Sequence, residues 1–233
     1  PEWDFIVCHL EQYWTPEQIC GRWELLYPER KKLCIATIYR AIKAERFPKI
    51  TAKNNLRRRD KHRCHQNSNY NTIHPDRIIP DWINEIKQRA RIGDWEGDTV
   101  YGGVGKGLLV TLVDRKTRFL CAGLIHSRSS TETREMIEML LKDMPVKSIS
   151  LDNGSEFSEF RELEQNLNTE VYFAEPHKPW QRGTNENTND ILSFFFPKGY
   201  NFHSLDNETL QNIVLSINLR PKKCLGWLSP FEA

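Results

Sequence analysis

The chain has 233 residues, of which 39% are hydrophobic and 27% are charged, and its formal net charge is +2. This hydrophobic content excludes a fully disordered chain, and the length suits one large domain or a catalytic domain with a small module. The sequence has no secretory signal, no apolar run of the ~20 residues that span a membrane, and no Cys-x-x-Cys pair, so we expect a reduced cytoplasmic protein without zinc.

The small net charge hides an uneven distribution along the chain. Residues 1–93 carry 18 Lys and Arg against 11 Asp and Glu, whereas residues 94–233 carry 15 against 20. A basic first part followed by an acidic second part indicates a DNA-binding arm attached to a carboxylate-rich, metal-requiring site. Because the chain opens at Pro1 inside a helical pattern, we also expect an N-terminal piece of the natural protein to precede it.

The first part of the chain predicts two short helices. Thr15 suits the N-cap of the first, with Pro16 in its first turn and Gln18 completing a capping box. Tyr27-Pro28 ends this helix, and the second is predicted over about Ala36 to Ala44 from its apolar spacing. One side of the second helix is apolar, and the other carries Thr37, Arg40 and Lys43.

Two short helices joined by a loop are typical of a helix-turn-helix, although an ordinary helical hairpin has the same pattern. The second helix is then the candidate recognition helix, which places Thr37, Arg40 and Lys43 at DNA. We therefore predict a helix-turn-helix-like DNA-binding module over residues 1–46.

A dense basic segment follows the second helix. Residues 40–63 contain ten Lys and Arg against Glu45 and Asp60, a net charge of +8. Charge runs are usually solvated faces, but this density of one sign favours contact with DNA phosphates through counterion release. We predict residues 47–92 to be a basic arm and linker that includes one short helix. The predicted phosphate contacts are Arg57, Arg58, Arg59 and Lys61.

From Gly93 onward the pattern changes to short β-branched and apolar runs. Three predicted strands follow one another, and helices then alternate with two further strands. The predicted strands are Thr99–Tyr101, Leu108–Val113, Phe119–Ile125, Ser148–Leu151 and Val171–Ala174. The predicted helices are residues 130–141, residues 156–166 and one that follows Pro179. This order predicts an α/β domain over residues 93–233 with a mixed five-stranded sheet flanked by helices.

Three carboxylates in this domain are candidates for catalysis. Asp98 is predicted at the start of the first strand, Asp152 directly after the fourth, and Glu186 in the last predicted helix. Such a trio supplies the hard oxygen ligands that two Mg²⁺ ions, or Mn²⁺ as a substitute, require for phosphoryl transfer. Asp94 and Glu96 share the strand face of Asp98, so the pattern alone does not choose among these three. Asp152 also suits an Asp-Asn-Gly turn.

The segment around Glu186 also offers hydrogen-bond donors to a DNA backbone. A glycine at position 183 lets a phosphate approach the start of the predicted helix, where backbone N–H groups favour anions. The predicted donors are Lys178, Arg182, Asn185 and Asn187.

Six motifs resemble those of the bacterial insertion-sequence transposases of family thirty (IS thirty). They are GDWEGDT at 93–99, LVTLVDRKTR at 109–118, DNGSEF at 152–157, PWQRGTNEN at 179–187, FPKG at 196–199 and LRPKKCLG at 219–226. The resemblance implies the RNase H-like, integrase-type fold and a DDE catalytic site. Within that site it implies that Asp98, rather than Asp94 or Glu96, acts together with Asp152 and Glu186. Asp94 and Glu96 are then expected to be exposed or supporting groups.

The resemblance also implies a reaction. Such an enzyme cleaves DNA at the terminal inverted repeats of its element and joins the 3′ ends to target DNA, with two Mg²⁺ ions per active site. No nucleophilic Ser or Tyr is expected, since no covalent enzyme intermediate forms. The expected partners are double-stranded DNA and further copies of the chain, as a homodimer or higher homo-oligomer on DNA in the bacterial nucleoid, and no membrane.

Two alternatives use the same sequence features. An RNase H-like nuclease would hydrolyse DNA with the same three carboxylates and stop there. A non-catalytic DNA-binding regulator derived from a transposase would be expected to have lost one carboxylate, and all three are present here.

Overall fold

A computed structural model describes residues 2–56, 76–79, 82–175, 181 and 183–233. The chain divides into two compact units, which we call the helical unit (Pro1–Asn67 and Asn218–Ala233) and the sheet unit (Ser68–Ile217). The predicted division into 1–46, 47–92 and 93–233 stays a prediction. It groups residues 218–233 with the sheet, whereas in the structure they belong to the same compact unit as the N-terminal helices.

The described N-terminal part of the helical unit consists of α1 (Glu2–Glu11), α2 (Pro16–Leu26), α3 (Ile35–Lys43) and α4 (Ala52–Asn55). The predicted capping box is present at the start of α2. The Gln18 amide donates to Thr15 Oγ1 at 3.3 Å, and the Thr15 amide donates to Gln18 Oε1 at 2.9 Å. The predicted start of the first helix is therefore confirmed, and the bounds of the second agree within one residue.

The third helix is amphipathic in the way its sequence predicts. It packs into a core that includes residues of α1 and α2, and its buried residues are Ile38, Ala41 and Ile42. Its exposed polar residues are Thr37, Arg40 and Lys43. The side predicted to meet DNA is thus on the surface of the helical unit.

The last residues of the chain pack on α2. Arg22 donates to both carboxylate oxygens of Glu232, and this pairing lowers the pKa of Glu232 to about 2. The Trp227 ring lies against Gly21, where a Cβ atom would come within 2.1 Å of the ring. Only glycine fits at position 21, because any larger residue would push the ring away.

The sheet unit contains a five-stranded mixed sheet in the order β3-β2-β1-β4-β5. Strands β1, β2 and β3 are antiparallel neighbours, whereas β4 and β5 run parallel to β1. The strands are β1 (Asp94–Tyr101), β2 (Leu108–Asp114), β3 (Leu120–Ile125), β4 (Ser148–Leu151) and β5 (Glu170–Phe173). The predicted α/β fold with a mixed, RNase H-like sheet is confirmed.

Helices cover both faces of the sheet. The described helices of this part are α5 (Asn84–Lys87), α6 (Ser130–Leu141), α7 (Phe160–Leu167), α8 (Gly183–Phe195) and α9 (Asn207–Asn218). One apolar core lies between the sheet and α6 and α7, and a second lies between the sheet and α8 and α9. None of the helices in the described ranges is long and apolar enough to cross a membrane.

The first strand and the helix after the fourth strand differ from the sequence prediction by more than one residue. The first strand begins at Asp94 rather than Thr99, so Asp98 is its fifth residue and not its first. Its first residues include buried acids, which hide the strand from a pattern that looks for apolar runs. Helix α7 begins at Phe160 because Ser155–Phe157 forms a separate 3₁₀ turn.

Candidate active site

The two predicted catalytic aspartates lie on neighbouring strands. Strands β1 and β4 pair in parallel, with Trp95 opposite Ile149 and Glu96 opposite Ser150. The same register continued by two residues puts Asp98 beside Asp152, which directly follows the last residue of β4. Adjacent strands are about 4.8 Å apart, so the two backbones are close neighbours. Both aspartates are partly exposed.

The alternation of β1 decides which helices face Asp98. Trp95 belongs to the core under α6 and α7, and a Cβ atom on Gly97 would meet a Leu151 methyl group of that same core at 2.6 Å. Successive strand side chains point to opposite faces, so Asp94, Glu96 and Asp98 point to the face covered by α8 and α9. The helix that carries Glu186 therefore covers the face to which Asp98 points.

The Asp98 carboxylate accepts two hydrogen bonds that fix its position. Asn189 of α8 donates from Nδ2 to Asp98 Oδ2 at 2.7 Å, and the Thr99 amide donates to Oδ1 at 2.9 Å. Asn189 thus ties the helix to the first aspartate. Its position three residues after Glu186 is the helical spacing that could have drawn attention to it, but the sequence analysis did not single it out.

Asp152 sits in the turn that its sequence favours. The Gly154 amide donates to Asp152 Oδ1 at 3.0 Å. A Cβ atom on residue 154 would lie 2.9 Å from that oxygen and 2.6 Å from Glu156 Oε2, so a larger residue would displace one carboxylate. The turn interpretation and the catalytic interpretation of Asp152 are compatible, since the turn fixes the aspartate at the end of β4.

The other two acids of β1 are buried and form ion pairs with arginines. Asp94 is 0% exposed and accepts from Arg91 and from Ser148 Oγ at 2.6 Å. Glu96 is also 0% exposed and pairs with Arg115. Of the two alternatives expected for these acids, exposed or supporting groups, exposure is wrong, because both side chains are buried. They support the strand and its neighbours, and Asp98 is the only acid of β1 that solvent reaches.

Electrostatics agrees with a supporting role for these pairs. The hydrogen bond to Asp94 raises the pKa of Arg91 above its ordinary value. Burial lowers the pKa of Arg115, while Glu96 and Asp94 act in the opposite direction. An arginine stays charged throughout the accessible pH range, so Arg115 and Glu96 form a fixed charge pair beneath α8.

Glu186 lies on α8 with an exposed side chain. The helix is anchored by three contacts: the Asn185 amide donates to Glu96 Oε2 at 3.1 Å, Arg118 donates to Thr184 Oγ1 at 3.0 Å, and Asn189 binds Asp98. The described residues contain no group of three His, Cys, Asp or Glu side chains arranged to hold a metal ion. The structure therefore brings the two aspartates together and places Glu186 on the adjoining helix, without gathering all three carboxylates.

The residues predicted to contact DNA differ in their exposure to solvent. Asn187 is exposed on α8, as are Thr37, Arg40 and Lys43 on α3. The side chain of Asn185 is 1% exposed, and its amide atoms have no hydrogen-bond partner among the described residues, so its position does not support a DNA contact. The remaining predicted contacts lie outside the described residues: Arg57, Arg58, Arg59, Lys61, Lys178 and Arg182.

Comparison with known proteins adds an independent line of evidence. The family model of the integrase core domain matches residues 88–179. A probable transposase for the insertion-like sequence element IS1161 of Streptococcus salivarius is 36% identical over 67% of this chain and 45% of its own length. The transposase for insertion sequence element IS4351 of Bacteroides fragilis is 32% identical over 97% of this chain and 71% of its own length.

A third relative extends the similarity to Escherichia coli. The transposase InsI for insertion sequence element IS30A of strain K12 is 30% identical over 96% of this chain. The chain covers 61% of that relative, and it spans less than half of the Streptococcus protein.

Proposed function

The chain belongs to the insertion-sequence transposases, and on that premise we propose that it cleaves the ends of its own insertion element and joins the freed 3′ ends to target DNA. The observation that carries the proposal is the parallel register of β1 and β4, which sets Asp98, on the sheet face that α8 covers, beside Asp152 at the end of β4. Glu186 on that helix is the third proposed catalytic residue.

The fold family implies a divalent metal, and the donor set fits one in chemistry. Asp98 and Asp152 are partly exposed carboxylates on adjacent strands, which are the hard oxygen ligands that Mg²⁺ prefers. We propose that they hold two Mg²⁺ ions, or Mn²⁺ in their place, and that the Glu186 carboxylate turns toward them from α8. Bound there, the ions supply charge neutralisation at the phosphate and a more acidic water.

The protein's own groups then orient the site. Asn189 and the Thr99 amide fix the Asp98 carboxylate, and the Gly154 amide fixes that of Asp152. With the two acids held in place, the site is organised before DNA arrives, which favours an in-line attack on the phosphodiester. The buried pairs of Asp94 and Glu96 keep β1 and its neighbours in register without competing for the metal.

Recognition of the element is assigned to the helical unit. The exposed polar side of α3 carries Thr37, Arg40 and Lys43, which suits a helix that reads base edges in the major groove. We propose that the basic segment with Arg57, Arg58, Arg59 and Lys61 binds phosphates, and that Lys178, Arg182 and Asn187 do so near the catalytic residues. The proposed partners are duplex DNA with terminal inverted repeats, target DNA, and further copies of the chain at the nucleoid.

A strand-transfer assay tests this proposal. The full chain is mixed with a labelled duplex that carries an end of the element, supercoiled plasmid as target, and Mg²⁺. We expect a labelled product joined to the plasmid, and its loss in Asp98→Asn, Asp152→Asn and Glu186→Gln. A cut end without a joined product would indicate a nuclease, and binding without cutting would indicate a regulator. Either result would overturn the proposal.

A further inference from the structure

A fourth acid lies directly behind the aspartate pair. Glu156 is 3% exposed, and both of its carboxylate oxygens are occupied. Thr99 Oγ1 donates to Oε1 at 2.9 Å, while Arg128 Nε donates to Oε2 at 2.9 Å and its Nη2 forms an ion pair with the same oxygen at 2.8 Å. An acid whose oxygens are already bound in this way is poorly suited to be a metal ligand.

Its neighbours connect Glu156 to both catalytic aspartates. Thr99 follows Asp98 along β1, and its amide binds the Asp98 carboxylate. Glu156 Oε2 and Asp152 Oδ1 both lie within 3 Å of the point that a Cβ atom of residue 154 would occupy. The carboxylate of Glu156 is therefore linked to Asp98 through Thr99 and lies next to the carboxylate of Asp152.

Arg128, unlike its buried partner Glu156, is exposed to solvent. Its side chain is 49% exposed, in contrast to Arg115, which is 4% exposed in its pair with Glu96. A guanidinium has five N–H donors, and the Nε–Nη2 edge faces Glu156. The two Nη1 donors make no hydrogen bond within the part of the chain that the structure describes. The guanidinium is thus fixed on one edge by a buried acid whose Oε2 lies close to Asp152 Oδ1, while about half of the arginine side chain is exposed to solvent.

An arginine held in this manner is a phosphate-binding group. The guanidinium matches phosphate oxygens with paired N–H donors, and an arginine already fixed on one edge loses little rotamer freedom when it binds. Glu156 balances the charge of Arg128, so the pair adds no net negative charge beside Asp152, and the outer donors of the guanidinium offer hydrogen bonds to a phosphate.

We propose that Arg128 contacts a DNA phosphate next to the reacting bond, and that Glu156 is the positioning residue that holds it there. This inference rests on the proposed function and deepens it. The phosphate belongs either to the element end or to the target DNA, and the experiment separates these two sources.

The test compares three variants of the full chain. Arg128→Gln removes the charge, Glu156→Gln removes the anchor but leaves the arginine charged, and Arg77→Gln is the matched control. Arg77 is also a partly exposed arginine, with 40% exposure and a Glu164 partner, and it also approaches Glu170 at the start of β5, the end remote from Asp152. Circular dichroism first establishes that each variant is folded.

Two measurements then locate the contact. Binding of an element-end duplex is titrated in chelator at several salt concentrations, and the target concentration for half-maximal strand transfer is measured with pre-cleaved ends. If the phosphate is in the element end, Arg128→Gln weakens duplex binding about tenfold and lowers the salt slope by about 0.9. If it is in the target, the half-maximal target concentration rises about tenfold instead.

Glu156→Gln is expected to behave differently. The salt slope stays as in the wild type because Arg128 keeps its charge, but the transfer rate at saturating DNA falls about tenfold because the arginine is less well placed. The control leaves both measurements unchanged. If folded Arg128→Gln matched the wild type in salt slope and in target concentration, the pair would be only structural and the proposal would be wrong.

Failure of the general function gives a different result. A wild-type chain that bound the duplex without cutting or joining it would refute the transposase activity. The chelator titration would still report whether Arg128 contacts DNA, since it needs no catalysis.

Discussion

Two acids on the same face of β1, separated by one residue, should respond to neutralisation in opposite ways. Asp98→Asn and Glu96→Gln each replace a carboxylate by an amide of the same shape. We expect the first to abolish catalysis and leave the fold intact, and the second to destabilise the sheet unit. Both residues are acids of the same strand, so the different responses must come from their exposure to solvent and from their hydrogen-bond partners.

The expected cost of Glu96→Gln comes from its partner. Glu96 is 0% exposed, and Arg115 is 4% exposed in its side chain. Removing one charge of a buried pair leaves the other uncompensated, at a cost of about 3–5 kcal/mol. For a domain of this size that corresponds to a fall in melting temperature of about 10 °C. Such a loss is a large part of a typical total stability of about 5–15 kcal/mol.

The expected effect of Asp98→Asn is on the reaction. Asp98 is partly exposed, and its carboxylate accepts hydrogen bonds from Asn189 and from the Thr99 amide. The side-chain oxygen of an asparagine can still accept one of these two hydrogen bonds. The change in stability should stay below about 1 kcal/mol. Loss of one metal-binding carboxylate removes several kcal/mol of transition-state stabilisation, and about 4 kcal/mol corresponds to a thousandfold lower rate.

Urea unfolding and strand transfer measured on the same preparations check both expectations. The Glu96→Gln protein is assayed at a temperature where it is still folded, so that low activity is not confused with unfolding. Strand transfer by Asp98→Asn within tenfold of the wild type would remove Asp98 from the site. A Glu96→Gln protein as stable as the wild type would show that the buried pair does not hold the strand.

Three further outcomes are expected. Asn189→Ala should lower strand transfer about fivefold by releasing Asp98, which corresponds to about 1 kcal/mol, while Ser193→Ala on the same helix should not; equal rates would refute the role of Asn189. Activity should appear with Mg²⁺ or Mn²⁺ and be absent with Ca²⁺ alone, and full activity in chelator would contradict metal binding by the carboxylates. The pKa of Glu232 in the folded protein is lowered to about 2 by its pair with Arg22. The free energy of unfolding at pH 6 should therefore be about 1 kcal/mol higher for the wild type than for Glu232→Gln. Urea titrations should show this difference disappearing between pH 5 and pH 2, as Glu232 becomes protonated. A constant advantage across that range would contradict it.

Local features of the helical unit could be read from the sequence with little error. The capping box at Thr15 and the amphipathic spacing of α3 depend on residues within one or two turns of each other, and both are present as predicted. The packing of residues 218–233 on α2 could not be read in this way. It depends on a ring over Gly21 and an ion pair between residues 210 positions apart, and no local pattern carries such a contact.

The order of strands and helices likewise follows from the sequence, because alternation and apolar runs report which residues are buried. Tertiary structure decided the bounds of β1 and the roles of its acids. Asp94, Glu96 and Asp98 have the same parity, and only the positions of Arg91 and Arg115 separate two buried ion pairs from one accessible carboxylate.

The motifs named three acids, but they could not say what supports them. Asn189 reaches Asp98 from a helix about 90 residues further along the chain, and Arg128 reaches Glu156 from 28 residues before it. Glu156 lies inside the DNGSEF motif, but the motif does not show that its carboxylate is buried and bound by Thr99 and Arg128. The sequence by itself determined which groups carry charge and on which element each lies. Only the fold decided which charges are neutralised in the interior and which remain available at the surface, because that depends on the partners that packing brings within hydrogen-bond distance.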